Sequence, residues 1–458
     1  MLKPLPSPSF QPSPAGPPVS GRRKHFPGIT AIIVPSMSPT IARPAHSRLR
    51  WTICALLFFA TTINYIDRQV LSMLAKTLQD TLHWTENDYG DITAAFSLAY
   101  GLGLLGAGRL LDKFGTRVGF AIAITVWSVA AMGHALVTSV LAFTVARVLL
   151  GLGEAANFPA SIKTVAEWFP KRERAQATGL FNAGANIGAI FAPITVPLLA
   201  RTWGWQWAFL ITGGLGFVWL AFWLNVYHKP AQHPRISAAE LEMINSDPPD
   251  RVASVPWSKV FFKRETWSFA FGKFLTDPVW VFFLFWLPKY LQTTFKLSID
   301  EIIVPMIVVY NASTIGSVGG GWLSSSLMKH GWGNNSARKT TMLICALCVL
   351  PVLALPYIHS MWTVVGILGL ALAAHQGWSA NLFTTTSDMF PRSAVGSVVG
   401  IGGAAGSLGQ ALMLKTAGWV LTATGSYFSL FMICGFAYLV ALAVVHLLAP
   451  KLAQVEIE

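Results

Sequence analysis

EWFPKRERAQATGLFNAGANIG, residues 167–188, is echoed by DMFPRSAVGSVVGIGGAAGSLG, residues 388–409. Glu167 falls on Asp388, Phe169-Pro170 on Phe390-Pro391, Gly179 on Gly400 and Gly188 on Gly409, all at one constant offset. The second half of the chain repeats the first, so the protein is expected to consist of two pseudo-symmetric halves.

Composition says what those halves are made of. The chain has 458 residues, 53% hydrophobic and only 12% charged, where an ordinary soluble protein is about a quarter charged. Apolar runs of the roughly 17–25 residues that cross a bilayer recur from Trp51 to the C-terminus. Twelve spans are predicted, at 50–78, 86–109, 117–138, 141–168, 174–200, 204–227, 267–293, 301–327, 340–358, 361–388, 394–416 and 425–449. The expected fold is an all-α polytopic membrane protein with 12 transmembrane helices. Residues 48–227 form one six-helix bundle, 228–266 a central loop and 267–450 the second bundle.

The net charge of +13 lies on alternate joints. Lys and Arg gather before span 1, between spans 2 and 3, 4 and 5, 6 and 7, 8 and 9, and at Arg392 between 10 and 11; the opposite joints are nearly free of them. That spacing argues against nucleic acid as a partner, and by the positive-inside rule it places both termini and the central loop in the cytoplasm. Residues 1–47 are rich in Pro, Ser and Gly and read as a disordered cytoplasmic tail. They lack an apolar stretch followed by a small-residue cleavage site, so a cleaved signal peptide is not expected. Met37 offers an alternative translation start.

Several motifs mislead. GLGLLG at 101–106 and its relatives at Gly151 and Gly400 match a dinucleotide fingerprint letter for letter. They lack the preceding strand that brings a helix N-terminus to a pyrophosphate, and are expected to serve close helix packing. CALC, Cys345 to Cys348, sits in an apolar span with no second ligand pair, so no metal site is expected. No HExxH, GxSxG or Walker A motif occurs, which argues against an enzyme and against ATP-driven transport.

GRLLDKFGTR, Gly108 to Arg117, resembles the signature loop between helices 2 and 3 of the major facilitator superfamily. The resemblance implies a cytoplasmic gate at Gly108, Asp112 and Arg117, in which Asp112 caps a helix or pairs with the opposite half when that side closes. The counterpart GGWLSSSLMKHG keeps Gly321, Leu323 and Gly331 but has no acid.

Charges also lie inside the spans. Tyr65, Asp67 and Arg68 in INYIDRQV are about 20–26 Å along span 1 from Trp51 at 1.5 Å per residue, at or beyond mid-membrane. Span 4 carries Arg147 and Glu154, seven residues apart and on one face. Intramembrane charge is costly and marks function. A carboxylate beside an arginine suits proton-coupled anion transport, because a substrate anion that takes over the arginine changes the affinity of the carboxylate for its proton.

TTINYIDRQ (61–69), GEAANFPASIKTVAEWFPKRERAQATGLFNAGANIGAI (153–190) and DPVWVFFLFWLPKYL (277–291) are similar to the anion:cation symporter family, most of all to its bacterial hexuronate transporters, over about residues 48–450. The resemblance implies proton-driven uptake of galacturonate and glucuronate across the inner membrane, with the proton as coupling ion, no cofactor, lipid around it and a monomeric state. It also implies that Arg68 binds the substrate carboxylate beside Tyr65 and Tyr100, that Asp67 and Glu154 are protonation sites, and that Arg147 pairs with one of them. In the other spans Asn182, Asn186, Trp280, His375, Gln376, Trp378 and Asn381 are candidates to read sugar hydroxyls, and Asp277 is either a third proton carrier or a hydroxyl acceptor. Pro278 and Pro288 suit a gating kink. Galactonate, glucarate or galactarate would satisfy the same arginine. An anion-sensing receptor is the rival class, for which the central loop is short as an output domain.

Overall fold

A computed structural model describes residues 48–246 and 257–456, with no strand among them. The expected disordered tail and the Met37 start fall outside the described residues.

The first half contains α1 (Leu49–Met73) with its short extension α2 (Ala75–Leu82), α3 (Glu86–Gly133), α4 (Val140–Glu154), α5 (Asn157–Trp168), α6 (Lys171–Trp203) and α7 (Trp205–Val226). The central loop carries α8 (Ala238–Ile244) and α9 (Trp257–Phe261). The second half contains α10 (Arg264–Phe295), α11 (Ile303–Lys329), α12 (Asn334–Val349), α13 (Met361–Met389), α14 (Arg392–Thr424) and α15 (Phe428–Leu448).

Ten segments are long and apolar enough to cross a membrane. One of them, Glu86–Leu136, is 51 residues long, about 75 Å of helix against a hydrocarbon core of about 30 Å, and is therefore two crossings. The chain turns at Gly115, where φ is 75° and ψ 163°, a conformation that only glycine adopts at little cost. The joint expected at 110–116 thus stays helical except at that residue. The twelfth crossing is α13, 29 residues long, whose apolar run is diluted by His375 and Gln376. The molecule is a twelve-helix, two-half membrane protein.

The repeat is visible as packing. In the first half α1 lies on α6 and α4 on α3; in the second α10 lies on α14 and α13 on α11. The repeated glycines set these contacts. A Cβ added to Gly188 would stand 2.5 Å from the Thr62 carbonyl oxygen, and one added to Gly409 would stand 2.3 Å from that of Phe274. The glycine motif on α3 is likewise a packing surface, since a Cβ on Gly101 would stand 2.5 Å from Ser407 Cβ.

The tightest approach of a glycine to a neighbouring backbone is testable. A Cβ on Gly316 would lie 2.1 Å from the Ala373 carbonyl oxygen, whereas one on Gly319 meets nothing within 4 Å. Overpacking costs about 1–3 kcal/mol or more. Gly316→Leu is expected to lower the melting temperature of the detergent-purified protein clearly, and Gly319→Leu to change it little. Equal melting curves for the two variants would contradict the α11–α13 contact.

The halves touch most closely at the end away from Leu49 and Leu448. There Tyr89 donates to the Phe285 carbonyl at 2.7 Å, Glu86 pairs with Lys289, Asp91 pairs with Lys415, and Arg201 stands 3.3 Å from Asp300. Along α14 the separation then grows. A Cβ on Gly418 would be 2.7 Å from the Glu86 carbonyl oxygen, one on Gly403 has its nearest neighbour, Leu104, at 3.9 Å, and one on Gly396 meets nothing within 4 Å. The passage between the halves is closed at this far end and widens toward the end that bears the central loop.

Candidate functional site

Close packing of α1 on α6 turns Arg68 toward α3 and α4. Its Nε and Nη2 both donate to Glu154 Oε2, at 3.0 and 2.9 Å, and Nη2 reaches Asn64 Oδ1 at 3.4 Å. The guanidinium carbon lies over three rings, 4.8 Å from the Tyr100 centroid, 4.9 Å from Tyr65 and 5.2 Å from Phe96. Such cation–π contacts are worth more when desolvated, and they hold the fork in one orientation. Two bonding capacities stay open. Glu154 Oε1 is buried without a partner, and Arg68 Nη1 makes no hydrogen bond among the described residues. An arginine that is half-engaged and caged by aromatic rings is suited to receive a carboxylate in a planar, two-bonded geometry.

Asp67 faces away from this cage. It is 2% exposed, neither carboxyl oxygen has a hydrogen-bond partner, and the Thr212 hydroxyl on α7 approaches without closing a bond. Arg147 is wholly buried and none of its three side-chain nitrogens is bonded. It lies within electrostatic reach of Glu154, Asp67 and Tyr89, and its guanidinium carbon is 5.8 Å from the Phe96 centroid. The expected pairing of Arg147 with an acid is therefore replaced by that of Arg68 with Glu154. Seven residues along α4 separate Arg147 from Glu154 by about 10.5 Å, so the base nearer to Glu154 comes from the neighbouring helix.

In the second half Asp277 is tied to Lys273 one turn earlier on α10, with Nζ 3.1 Å from Oδ1 and 2.8 Å from Oδ2. Trp280 stacks on His375 at 5.1 Å and 14°. His375 Nδ1 stands 2.6 Å from the Tyr438 hydroxyl, which anchors the stack from behind. Gln376, Asn186 and Trp280 are half-buried and Asn182 is exposed. Trp378 is fully buried against Tyr438. Asn381 donates to the Gly320 and Gly377 carbonyls and accepts from Arg338. These last two therefore tie α13 to its neighbours and do not face the passage in this conformation.

At the loop end Asp112 accepts from Lys163 on α5 at 2.7 Å, within its own half. Arg117 donates to the Leu224 carbonyl, Thr116 to Glu167 at 2.7 Å, and Tyr227 also to Glu167. A Cβ on Gly108 would meet nothing within 4 Å. Arg50 at the start of α1 bonds to Glu173 at 2.9 Å and to Glu240 of α8 at 3.0 Å, which pins the central loop under the first half. Among the described residues Asp112 has no partner in the opposite half and pairs locally.

Three residues escaped the sequence reading. Phe96 lies four residues before Tyr100 and hence on the same helical face, a signal that was present. Lys273 lies four residues before Asp277, the spacing of an intrahelical ion pair. Tyr438 sits in a uniformly apolar helix and gave no signal.

Known proteins resemble this chain in sequence and in fold. Residues 57–414 match the sequence profile of the Major Facilitator Superfamily. The chain is 30% identical over 377 residues to the hexuronate transporter of Escherichia coli (strain K12), covering 81% of this chain and 87% of that protein. It is 33% identical over 288 residues to the galacturonate transporter of Dickeya chrysanthemi, covering 62% and 83%. To the D-galactonate transporter of Escherichia coli O6:H1 it is 27% identical over 391 residues, covering 82% and 90%. Among solved structures, a bacterial homologue of the human lysosomal transporter Spinster, in an inward-facing and occupied conformation, superposes with a TM-score of 0.68 at 17% identity, over 88% of this chain and 96% of that one.

Proposed function

We propose that this chain, which belongs to the Major Facilitator Superfamily, takes up hexuronates such as galacturonate and glucuronate together with protons. It is a multi-pass membrane transporter and not an enzyme; the substrate and the coupling are the proposal. The observation that carries it is Arg68, bonded to one oxygen of Glu154 inside three aromatic rings, with the Nη1 edge of its fork only partly engaged, Nη1 itself being unbonded. A substrate carboxylate that docks on that edge competes with Glu154 for the same cation. Glu154, once displaced, binds a proton; Asp67, which has no partner of its own, is the second proton site. Substrate and proton occupancy are then linked by the arginine they share.

The positive-inside pattern assigns the loop-bearing end to the cytoplasm of a bacterial inner membrane. On that assignment the chain stands open inward, with the gate of Glu86, Lys289, Asp91 and Lys415 closed on the outside. Relatives that carry hexuronate and galacturonate favour those substrates over other organic anions.

Uptake of labelled galacturonate into proteoliposomes tests this. An inward proton gradient is expected to drive accumulation well above the equilibrium level, with glucuronate the strongest competitor among sugar acids. Uptake indifferent to the gradient would remove the coupling. Displacement by galactonate or galactarate but not by glucuronate would remove the substrate.

A further inference from the structure

The internal symmetry identifies what the second half does to the substrate. The offset that lays Glu167 on Asp388 also lays Glu154 on His375. The matching contacts of Gly188 on Thr62 and of Gly409 on Phe274 align α1 with α10 so that Tyr65 falls on Asp277 and Arg68 on Trp280. The Arg68–Glu154 ion pair of the first half is therefore replaced, at the equivalent place, by the Trp280–His375 stack. The charges beside that stack are Lys273 and Asp277, and they cancel. The wall is built around them: a Cβ on Gly406 of α14 would stand 2.5 Å from Asp277 Oδ2, and Lys273 Nζ lies 4.4 Å from the Phe383 centroid.

We propose that this wall is a charge-neutral surface for hydroxyl groups, and that Asp277 is the residue that restricts the transporter to acids with a single carboxylate. The inference rests on the function proposed above in placing that carboxylate at Arg68. A hexuronate or aldonate then presents only oxygens without charge to the second half. The ion pair offers those oxygens an ammonium donor and a carboxylate acceptor, and Trp280 offers an apolar face to the ring or chain carbons. An aldarate brings a second carboxylate. It meets Asp277 at short range in a dry setting, where like-charge contact is penalised, and Lys273 is already taken. Asp277 acts in this account as a fixed counter-charge and carries no proton during transport.

The test is a ranking of competitors. In proteoliposomes loaded by galacturonate counterflow, galactarate is expected to inhibit the wild type much less than galactonate does. Asp277→Asn leaves Lys273 uncompensated and is expected to shift the galactarate-to-galactonate inhibition ratio toward galactarate by on the order of tenfold, the effect of one nearby charge at intermediate dielectric. Lys273→Met with Asp277→Asn restores neutrality and is expected to return the ratio to the wild-type value. The same ratio is read from ligand-induced shifts in melting temperature of the purified variants, so a variant without transport still gives a result. An unchanged ratio in Asp277→Asn would overturn the proposal. So would loss of gradient-driven accumulation with counterflow retained in that variant, which would make Asp277 a proton carrier. Failure of the wild type to move galacturonate would count against the substrate proposed above and leave the melting-shift ranking as the arbiter of the charge balance.

Discussion

Arg68→Ala is expected to abolish both saturable binding and counterflow of galacturonate. Among the described residues its Nη1 keeps free hydrogen-bonding capacity beside the Glu154 contact, and its three aromatic neighbours hold the guanidinium for one ligand orientation. A carboxylate–arginine contact in a desolvated site contributes several kcal/mol when one partner is deleted, on the order of 3–5 kcal/mol. By the affinity relation of about 1.4 kcal/mol per factor of ten, that is a loss of two to three orders of magnitude or more. Deletion also leaves Glu154 buried without its cation, which lowers stability by a comparable amount. Arg68→Lys separates the two effects. It keeps the charge beside Glu154 and so retains the fold, but it lacks the planar fork. Its melting temperature is expected near that of the wild type while its affinity for galacturonate falls by about a hundredfold, since a charge-assisted bidentate contact becomes a single one. Saturable counterflow by Arg68→Ala at wild-type affinity would show that the substrate carboxylate binds elsewhere.

The sequence revealed the site unevenly, for physical reasons. The two halves, the crossings and the acids and bases on α1 and α4 were legible because hydrophobic length and helical period depend only on residue order. The number of crossings was readable even where helix length alone undercounts: Glu86–Leu136 is one continuous helical segment, but its charged stretch from Arg109 to Arg117 marks the joint between two crossings. Which base holds which acid was not legible. Arg147 shares a helix face with Glu154, yet Arg68 from another helix binds it, because the choice depends on how α1 is rotated against α4. Lys273 was overlooked for a related reason. It lies inside an apolar run as if it were one more membrane anchor, and only its partner Asp277 shows that the charge is internal. Trp378 and Asn381 looked like sugar readers by type. They lie on the face of α13 that turns inward to α11, α12 and α15, where Asn381 satisfies backbone carbonyls.

The closed far end also fits a transporter whose halves must part. Lys289 is nearly inaccessible in its pair with Glu86, whereas Arg201 and Asp300 are largely exposed. Exposed pairs contribute about 0–1 kcal/mol each. The far-end contacts therefore oppose opening weakly at the rim and more strongly at Lys289 and at the Tyr89–Phe285 hydrogen bond, a distribution that lets a bound substrate shift the balance between the two states.

Glu154→Gln is expected to bind galacturonate more tightly than the wild type and yet fail to accumulate it. In the resting site Glu154 Oε2 accepts both Arg68 bonds, so the substrate must displace a carboxylate to reach the cation. A glutamine oxygen still accepts from the guanidinium but brings no charge, and hydrogen bonds to a neutral acceptor are roughly half as strong as charge-assisted ones. The competition is then weaker, and the dissociation constant is expected to fall by on the order of tenfold, about 1.4 kcal/mol. The same change removes the group whose proton exchange is tied to that competition. Counterflow, in which the substrate alone crosses in both directions, is expected to persist. Accumulation driven by an inward proton gradient is expected to fall to the level of facilitated equilibration. Asp67→Asn provides the contrast, because Asp67 makes no contact with Arg68 through hydrogen bonds. It is expected to lose accumulation while its affinity stays near that of the wild type. If Glu154→Gln accumulates galacturonate fully, Arg68 and Glu154 form a structural clasp and the proton travels by another route. If instead both variants lose accumulation but only Glu154→Gln gains affinity, the substrate and the proton meet at Glu154, and Asp67 serves the proton alone.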